Sequence, residues 1–214
     1  MIDQHAIWER KMLAWEAGER GLMSYLGGLL DSRWQAAIQR AESTASVGSL
    51  YDAPSCLGPE CAATPAFYRA AMQRLTREDT QGALSVWPSL ANRLSLPSAT
   101  RQTIEEELAF YALLREVPGS YAWVDRILPT LESERVLELR VRRALQARDW
   151  TAVQQWIASM SDEQRNDSRW QYWLGRASEQ QGNQQAAEAH FFKAAGQRDF
   201  LASPPLNAPI NRFL

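Results

Sequence analysis

The 214-residue sequence has little of several residue types that mark particular classes of protein. It contains two cysteines, Cys56 and Cys61, and two histidines, His5 and His190, which are distant from both cysteines in the chain. Two thiols cannot complete a structural zinc site, and neither histidine has a local partner. Cys56 and Cys61 lie in a turn-rich loop, where they could form a small disulfide in an oxidising compartment or remain free thiols. We therefore expect no metal and no other cofactor.

Long apolar runs and an excess of one charge are also missing. No segment approaches the roughly 18 consecutive apolar residues of a membrane span, and the first thirty residues lack the pattern of a secretion signal. The 23 basic and 25 acidic residues are interspersed and give a formal net charge of -2. Because long apolar runs are missing, we expect no membrane span. Because no block of positive charge is present, we expect no nucleic-acid partner.

The residues that are abundant favour helices. Leu, Ala, Gln, Arg and Glu dominate long stretches, whereas runs of β-branched residues bounded by turns are almost absent. Helix propensity therefore exceeds strand propensity nearly everywhere. Hydrophobic residues make up 45% of the chain, enough for a sizeable core. The sequence predicts an all-α protein.

Apolar residues recur at helical spacing in pairs of segments that are separated by short turns. Asp79, Asp149 and Asn183 occupy matching positions at three of these turns, where each is suited to cap the second helix. They are separated by 70 and 34 residues, close to two periods and one period of tetratricopeptide-type repeats of roughly 34 residues. This spacing predicts a right-handed superhelix of antiparallel helix pairs, a tetratricopeptide-like α-solenoid.

A small residue follows each turn at a matching position. We expect close helix crossings at these places, which are Gly21, Gly82, Ala152 and Ala186.

The composition divides the chain into four predicted segments. N-terminal helix pairs of the solenoid occupy residues 1–43, and a long loop rich in Ser, Ala, Gly and Pro occupies 44–64. The main superhelical domain is expected at 65–200. Three prolines predict an irregular tail at 201–214.

No catalytic constellation can be named from the sequence. It has no glycine-rich phosphate loop, no nucleophile elbow and no His-Glu-x-x-His pair. The densest acidic group is the run 105–107, whose side chains point in successive directions on a helix and are expected to form a solvated face.

Five side chains are candidates for binding. Trp34 and Trp150 lie near turns among polar neighbours, so we expect both to be partly exposed and able to stack on sugar rings. Arg140, Arg143 and Arg176 could line a concave face and bind carboxylates of a polymer or partner, although surface salt bridges are the more frequent role of such residues.

The second half of the sequence carries motifs that are more specific than helix periodicity. The segments 134–145, 148–157 and 169–177, the last containing Arg-Trp-Gln-Tyr-Trp-Leu-Gly, resemble the helical domain of soluble lytic murein transglycosylases. The segment 75–87 resembles the repeat that precedes them. The likeness is strongest from 65 to 200 and weaker before residue 43.

This resemblance implies a superhelical, U-shaped domain that accompanies a lysozyme-like catalytic domain. In that family the catalytic domain cleaves peptidoglycan glycan strands without water and leaves 1,6-anhydro ends. The family's combination of a Glu-Ser pair with a following Gly-Leu-Met-Gln is missing from this sequence. The chain also departs from the family's pattern after residue 200, so the resemblance leads us to expect a truncated, frameshifted or deliberately cut product.

We therefore expect a non-catalytic module that is inactive alone. The resemblance implies glycan strands or the catalytic domain as partners, and the bacterial periplasm as the compartment. The alternative is a free-standing tetratricopeptide-like adaptor that binds a protein partner.

Overall fold

The computed structural model describes residues 3–196, in which every regular element is a helix and no strand occurs. The predicted all-α class is confirmed. The predicted tail and the last residues of the predicted superhelical segment lie outside the described residues. The α-helices are α1 Gln4–Ala17, α2 Arg20–Gly28, α3 Gln35–Ser43, α4 Thr64–Glu78, α5 Thr80–Arg93, α6 Ser98–Leu114, α7 Tyr121–Leu131, α8 Glu134–Ala147, α9 Trp150–Ala158, α10 Asp162–Arg165, α11 Ser168–Gln180 and α12 Gln184–Ala195.

The helix pairs form where the spacing predicted them. Short turns connect α1 to α2, α4 to α5, α8 to α9 and α11 to α12, and the two helices of each pair pack together. Between residues 3 and 196, no helix has the length and apolar character that crossing a bilayer requires.

The predicted helix caps are present. Asp79, Asp149 and Asn183 each accept a hydrogen bond from the backbone N–H three residues later, at 2.9, 3.0 and 3.1 Å. Each such cap stabilises its helix by about 1 kcal/mol. Glu19 occupies the same position before α2, and its side chain makes no capping bond.

The surroundings of the two glycines that follow turns differ from those expected. A Cβ at Gly82 would clash with the carboxylate of Asp79, which caps the same helix. A Cβ at Gly21 would meet nothing within 4 Å. The helix crossing expected at Gly21 is therefore wrong, and at Gly82 the nearest obstacle is the capping carboxylate. The close approach lies instead at Gly175 of α11, where a Cβ would be 2.5 Å from the ring of Phe191 in α12.

The chain divides into two compact units with a boundary between Ile127 and Leu128. The first unit has a core rich in aromatic residues, in which the indole N–H of Trp8 donates to the carbonyl of Ala63 at 3.0 Å. The large aromatic side chains of this core are Trp8, Trp15, Trp34, Phe67, Tyr68 and Trp87.

The segment between α3 and α4, predicted as a long loop, folds onto this core. A disulfide joins Cys56 and Cys61, whose side chains are exposed. The hydroxyl of Tyr68 donates to the carbonyl of Pro54 at 2.9 Å. The loop side chains Leu50, Ala53 and Leu57 are buried. The loop is therefore part of the folded unit.

A buried lysine joins the first three helices. The Nζ atom of Lys11 in α1 donates to the carbonyl of Met23 in α2 at 2.9 Å and pairs with Glu42 of α3 at 3.2 Å. The side chain of Lys11 is fully buried, whereas that of Glu42 is 54% exposed.

In the second unit α8, α9 and α11 pack together, and α12 packs on α11. The buried side chains at these contacts include Val136, Val141, Val153, Ile157 and Trp170.

Candidate functional site

Trp34 is not available at the surface. Its side chain is 4% exposed, and its ring centroid lies 5.7 Å from that of Trp8. A Cβ at Gly58 would come within 3.5 Å of the Trp34 ring. The expected partial exposure is therefore wrong, because polar sequence neighbours do not reveal that α1 and the disulfide loop cover this indole.

The predicted binding residues of the second unit have individual partners. Trp150 begins α9 and is half-buried, as expected. Arg176 pairs with Glu179 at 2.5 Å, one turn along the same helix. A guanidinium N–H of Arg143 donates to the side chain of Gln146 at 2.5 Å. These contacts stay within single helices and do not define a shared site.

Arg140 is buried rather than presented on a surface. It is 7% exposed, and its guanidinium lies over the indole of Trp156, 5.6 Å from the ring centroid. A cation stacked on an aromatic ring is stabilised by the ring quadrupole. Arg140 therefore helps to hold Trp156 in place between α8 and α9.

Trp156 lines a cavity of about 280 Å³ in the second unit. The cavity lies between the end of α7, the start of α8, the end of α9 and α10. Its apolar wall includes Leu128, Leu137 and Trp156. Leu128 and Trp156 are 5% and 4% exposed, so the cavity leaves little of either side chain accessible.

Polar groups line the rest of this cavity. Glu132 and Glu134 are exposed, and neither makes a hydrogen bond or ion pair with another described residue. The amide of Gln164 and the hydroxyl of Ser159 also line it. No Lys or Arg occurs among the described residues that form the lining. The site therefore presents mainly hydrogen-bond acceptors and negative charge.

The turn between α7 and α8 positions the two carboxylates. Glu132 has a φ of 49°, in the left-handed region that non-glycine residues rarely adopt. Ser133 then caps α8 by accepting a hydrogen bond from the N–H of Val136 at 3.4 Å. Because Glu134 is the first residue of α8, the turn and the cap together place both residues at the cavity.

This arrangement is suited to binding rather than to catalysis. A catalytic acid in a glycosidase has to be kept protonated by burial, whereas Glu132 and Glu134 are exposed to solvent. Among residues 3–196, no group of three His, Cys, Asp or Glu side chains could hold a metal ion.

The acidic run of α6 is also structural, although not in the way expected. Glu105 accepts a hydrogen bond from the indole N–H of Trp87 at 3.1 Å, and Glu107 pairs with Arg77 at 2.9 Å. All three carboxylates of the run are half-buried. The expectation of a solvated face is therefore wrong, because α6 packs against α4 and α5 along this side.

A second cavity, of about 320 Å³, lies in the first unit between the α1–α2 turn and the end of α4. Its charges are largely paired within the protein. Arg74 pairs with Glu78 at 2.9 Å, and Arg77 pairs with Glu16 at 3.4 Å. This cavity therefore has less unpaired charge to offer a ligand than the one beside Trp156.

His190 of α12 lies away from these cavities. Its Nδ1 is 2.9 Å from the side-chain oxygen of buried Gln171. Partial burial and the nearby charge of Lys193 lower the pKa of His190 from its ordinary value.

No protein-family model matches the chain. The chain is 26% identical over 205 residues to the soluble lytic murein transglycosylase of Escherichia coli K12, covering 92% of this chain and 31% of that protein. It is 27% identical over 176 residues to the soluble lytic murein transglycosylase of Salmonella typhimurium, covering 80% and 27% respectively. The chain thus spans about a third of the length of these relatives.

Solved structures share the fold. The 70 kDa soluble lytic transglycosylase of E. coli matches with a TM-score of 0.68 at 24% identity, over 92% of this chain and 32% of that chain. An inactive mutant of lytic transglycosylase Slt from Pseudomonas aeruginosa matches with a TM-score of 0.75 at 23% identity, over 95% and 34%. The resemblance inferred from the sequence is therefore confirmed, as is the predicted all-α solenoid fold class.

Proposed function

We propose that this chain is a non-catalytic helical module of a lytic transglycosylase that acts on peptidoglycan. In the intact enzyme the module scaffolds the catalytic domain or guides the glycan strand towards it. The observation that carries this proposal is the pattern of similarity, which extends over 92% of this chain but over only 31% of a curated relative. An entirely helical architecture in residues 3–196 agrees with a scaffolding role.

The chemistry of the described residues supports the non-catalytic assignment. Glycoside cleavage by an acid and a base requires carboxyl groups in environments that separate their protonation states. The two carboxylates at the cavity beside Trp156 share a similar exposed setting. The proposal therefore assigns bond cleavage to a different part of the enzyme.

The proposed compartment is the bacterial periplasm. The disulfide between Cys56 and Cys61 supports an oxidising compartment, because such bonds persist there and are reduced in most cytosols.

The proposal is tested by incubating the purified chain with peptidoglycan sacculi. We expect the chain to sediment with the sacculi and to release no 1,6-anhydro muropeptides detectable by mass spectrometry. Release of anhydro products would refute the non-catalytic assignment. If the chain does not sediment with the sacculi, a role in guiding the glycan strand is refuted and the scaffolding role remains. The scaffolding role predicts that the chain binds the separately expressed catalytic domain of a relative.

A second candidate function is that of a protein-binding adaptor. The first helix pair and the residue after it expose several large apolar side chains, two of which, Leu22 and Tyr25, lie about one turn apart in α2. They are Leu13, Leu22, Tyr25 and Leu29, with exposed fractions of 52%, 49%, 65% and 40%. Apolar groups exposed together mark protein-interaction surfaces more often than isolated ones do.

The adaptor function predicts capture of a protein partner that Tyr25→Ser abolishes. The matched control is Tyr51→Ser, which changes an exposed tyrosine outside this pair. Equal capture by both variants would exclude this surface as the adaptor site.

A further inference from the structure

The disulfide between Cys56 and Cys61 can be reached from solvent. Both side chains are exposed, and the two cysteines are five positions apart in the chain. Exposed disulfides exchange more readily with external thiols than buried ones, because the attacking sulfur has to reach a sulfur atom of the bond. The bond also closes a short loop, so breaking it releases less chain entropy than breaking a bond that closes a long loop. Both properties favour a bond that opens and closes while the protein stays folded.

The loop contains two adjacent residues in the left-handed backbone region. Glu60 has a φ of 50° and Cys61 has a φ of 63°. Residues other than glycine adopt this region at a cost in free energy and stay there where other contacts hold them. The N–H of Ala62 holds the turn by donating to the carbonyl of Pro59 at 2.8 Å. The cross-link at Cys61 is the covalent constraint on the same two strained residues.

The inner side of the loop is hydrogen-bonded to the aromatic core. Leu57 is buried, and its N–H donates to the hydroxyl of Thr64 at 2.8 Å. The carbonyl of Leu57 accepts a hydrogen bond from the N–H of Ala63 at 2.9 Å. The carbonyl of Ala63 in turn accepts the indole N–H of Trp8 at 3.0 Å. Three hydrogen bonds therefore depend on the closed position of the loop.

Gly58 brings the loop against Trp34. A Cβ at Gly58 would lie 2.8 Å from the Cβ of Ala63 and 3.5 Å from the indole of Trp34. Trp34 is 4% exposed, and this contact contributes to its cover. If the loop moves away, the indole of Trp34 becomes accessible to solvent.

We propose that the Cys56–Cys61 bond is a site of thiol–disulfide exchange, and that its reduction lets the strained loop move away from Trp34. The reductant is a protein dithiol of the Cys-x-x-Cys class. The exchange does not depend on the proposed function, which supplies the oxidising compartment in which the loop is closed by default.

The exchange proceeds in two displacements. A thiolate of the reductant attacks one Sγ atom, the S–S bond breaks, and the other Sγ leaves as a thiolate that takes a proton from solvent. The second thiol of the reductant loses its proton to solvent and displaces the first protein sulfur from the mixed disulfide, and that sulfur is protonated in turn. Two electrons pass to the loop, which ends as two thiols, while the reductant ends as a disulfide.

The test is hydrogen exchange of the natural chain, followed by NMR, before and after treatment with dithiothreitol without denaturant. We expect complete reduction, and about tenfold faster exchange of the Leu57 and Ala63 amides and of the Trp8 indole N–H. Reoxidation should restore the original rates. Reduction that requires denaturant would overturn the proposal, as would unchanged rates at the loop. An equal rise at the amides of α5 and α6 would indicate a general loss of stability and would also overturn it.

Variants separate the cross-link from the backbone strain. The double variant Cys56→Ser with Cys61→Ser should show the rates of the reduced chain and should not respond to dithiothreitol. Glu60→Gly removes the strain at one position, so reduction should accelerate loop exchange by about threefold instead of tenfold. The matched control is Arg148→Gly, which makes the same kind of change at a φ of 54° in the second unit and should leave the tenfold rise intact. Equal rises in the two glycine variants would overturn strain as the cause of loop opening.

The class of reductant has its own test. A thioredoxin-type protein whose second active-site cysteine is replaced by serine cannot complete the second displacement. We expect mass spectrometry to detect its mixed disulfide with the natural chain and no adduct with the double serine variant. Absence of the mixed disulfide with the natural chain would overturn a protein dithiol as the reductant.

Discussion

The buried ion pair between Lys11 and Glu42 makes a quantitative prediction about the first unit. The ammonium of Lys11 is fully buried and lies 3.2 Å from the carboxylate of Glu42. At an effective dielectric constant of about 20, this separation corresponds to roughly 5 kcal/mol of attraction. Exposed pairs are worth about 0.2–1 kcal/mol, and Glu42 is 54% exposed. The partly exposed pair should lie between these two limits, so we expect Glu42→Gln to lower the free energy of unfolding by about 2 kcal/mol.

A second substitution tests whether the stability lost in Glu42→Gln comes from leaving the buried ammonium of Lys11 without its partner. Removing the buried charge with Lys11→Met should be much less harmful, because a well-packed apolar side chain of similar volume can replace a buried ion. The double variant with Glu42→Gln should therefore be more stable than Glu42→Gln alone. This order is expected even though Lys11→Met also loses the hydrogen bond to the carbonyl of Met23.

The assay is urea unfolding followed by tryptophan fluorescence, since the first unit contains several buried indoles. The four proteins form a double-mutant cycle whose coupling energy is expected to exceed about 1 kcal/mol. The control is Glu9→Gln, whose carboxylate pairs with Arg69, a partner that is 22% exposed rather than fully buried. A coupling energy near zero, or an equal loss in the control, would show that Glu42 does not compensate a buried charge.

Four further outcomes are expected from single sites. Replacing Cys56 and Cys61 by serine should lower stability by about 2 kcal/mol in urea unfolding, since the disulfide closes a short loop, and a reductant should have the same effect on the natural chain but none on the variant. Arg148→Gly should raise the free energy of unfolding by about 1 kcal/mol, and with it the melting temperature, because residue 148 has a φ of 54°, which strains any residue other than glycine. An unchanged melting temperature would contradict backbone strain at this position. Gly175→Ala should cost about 1–3 kcal/mol because its Cβ would lie 2.5 Å from an aromatic ring, whereas Gly21→Ala, where space is open, serves as the control. The lowered pKa of His190 means that the unfolded chain binds its proton more readily, so stability should fall as the pH drops below the ordinary value of 6.5; His190→Gln should reduce that fall, and an identical pH profile would refute the assignment.

The candidate binding site was only partly accessible to sequence reasoning. Arg140 was selected for its charge, and the structure instead gives it a buried position against Trp156. Glu132 and Glu134 were not selected at all. The only local signal near them is the turn between two helices, which does not reveal that α9 and α10 close the other side of a cavity.

The sequence by itself determined the class of fold and the local architecture. Helical periodicity and short turns are properties of consecutive residues, so they located the helix pairs, and the matching positions of Asp79, Asp149 and Asn183 identified three caps. Tertiary structure alone decided which side chains are accessible. Trp34 is covered by residues from α1 and the disulfide loop, while the cavity beside Trp156 is assembled from four separate elements. Burial depends on contacts between segments distant in the chain, and local sequence patterns do not encode those contacts.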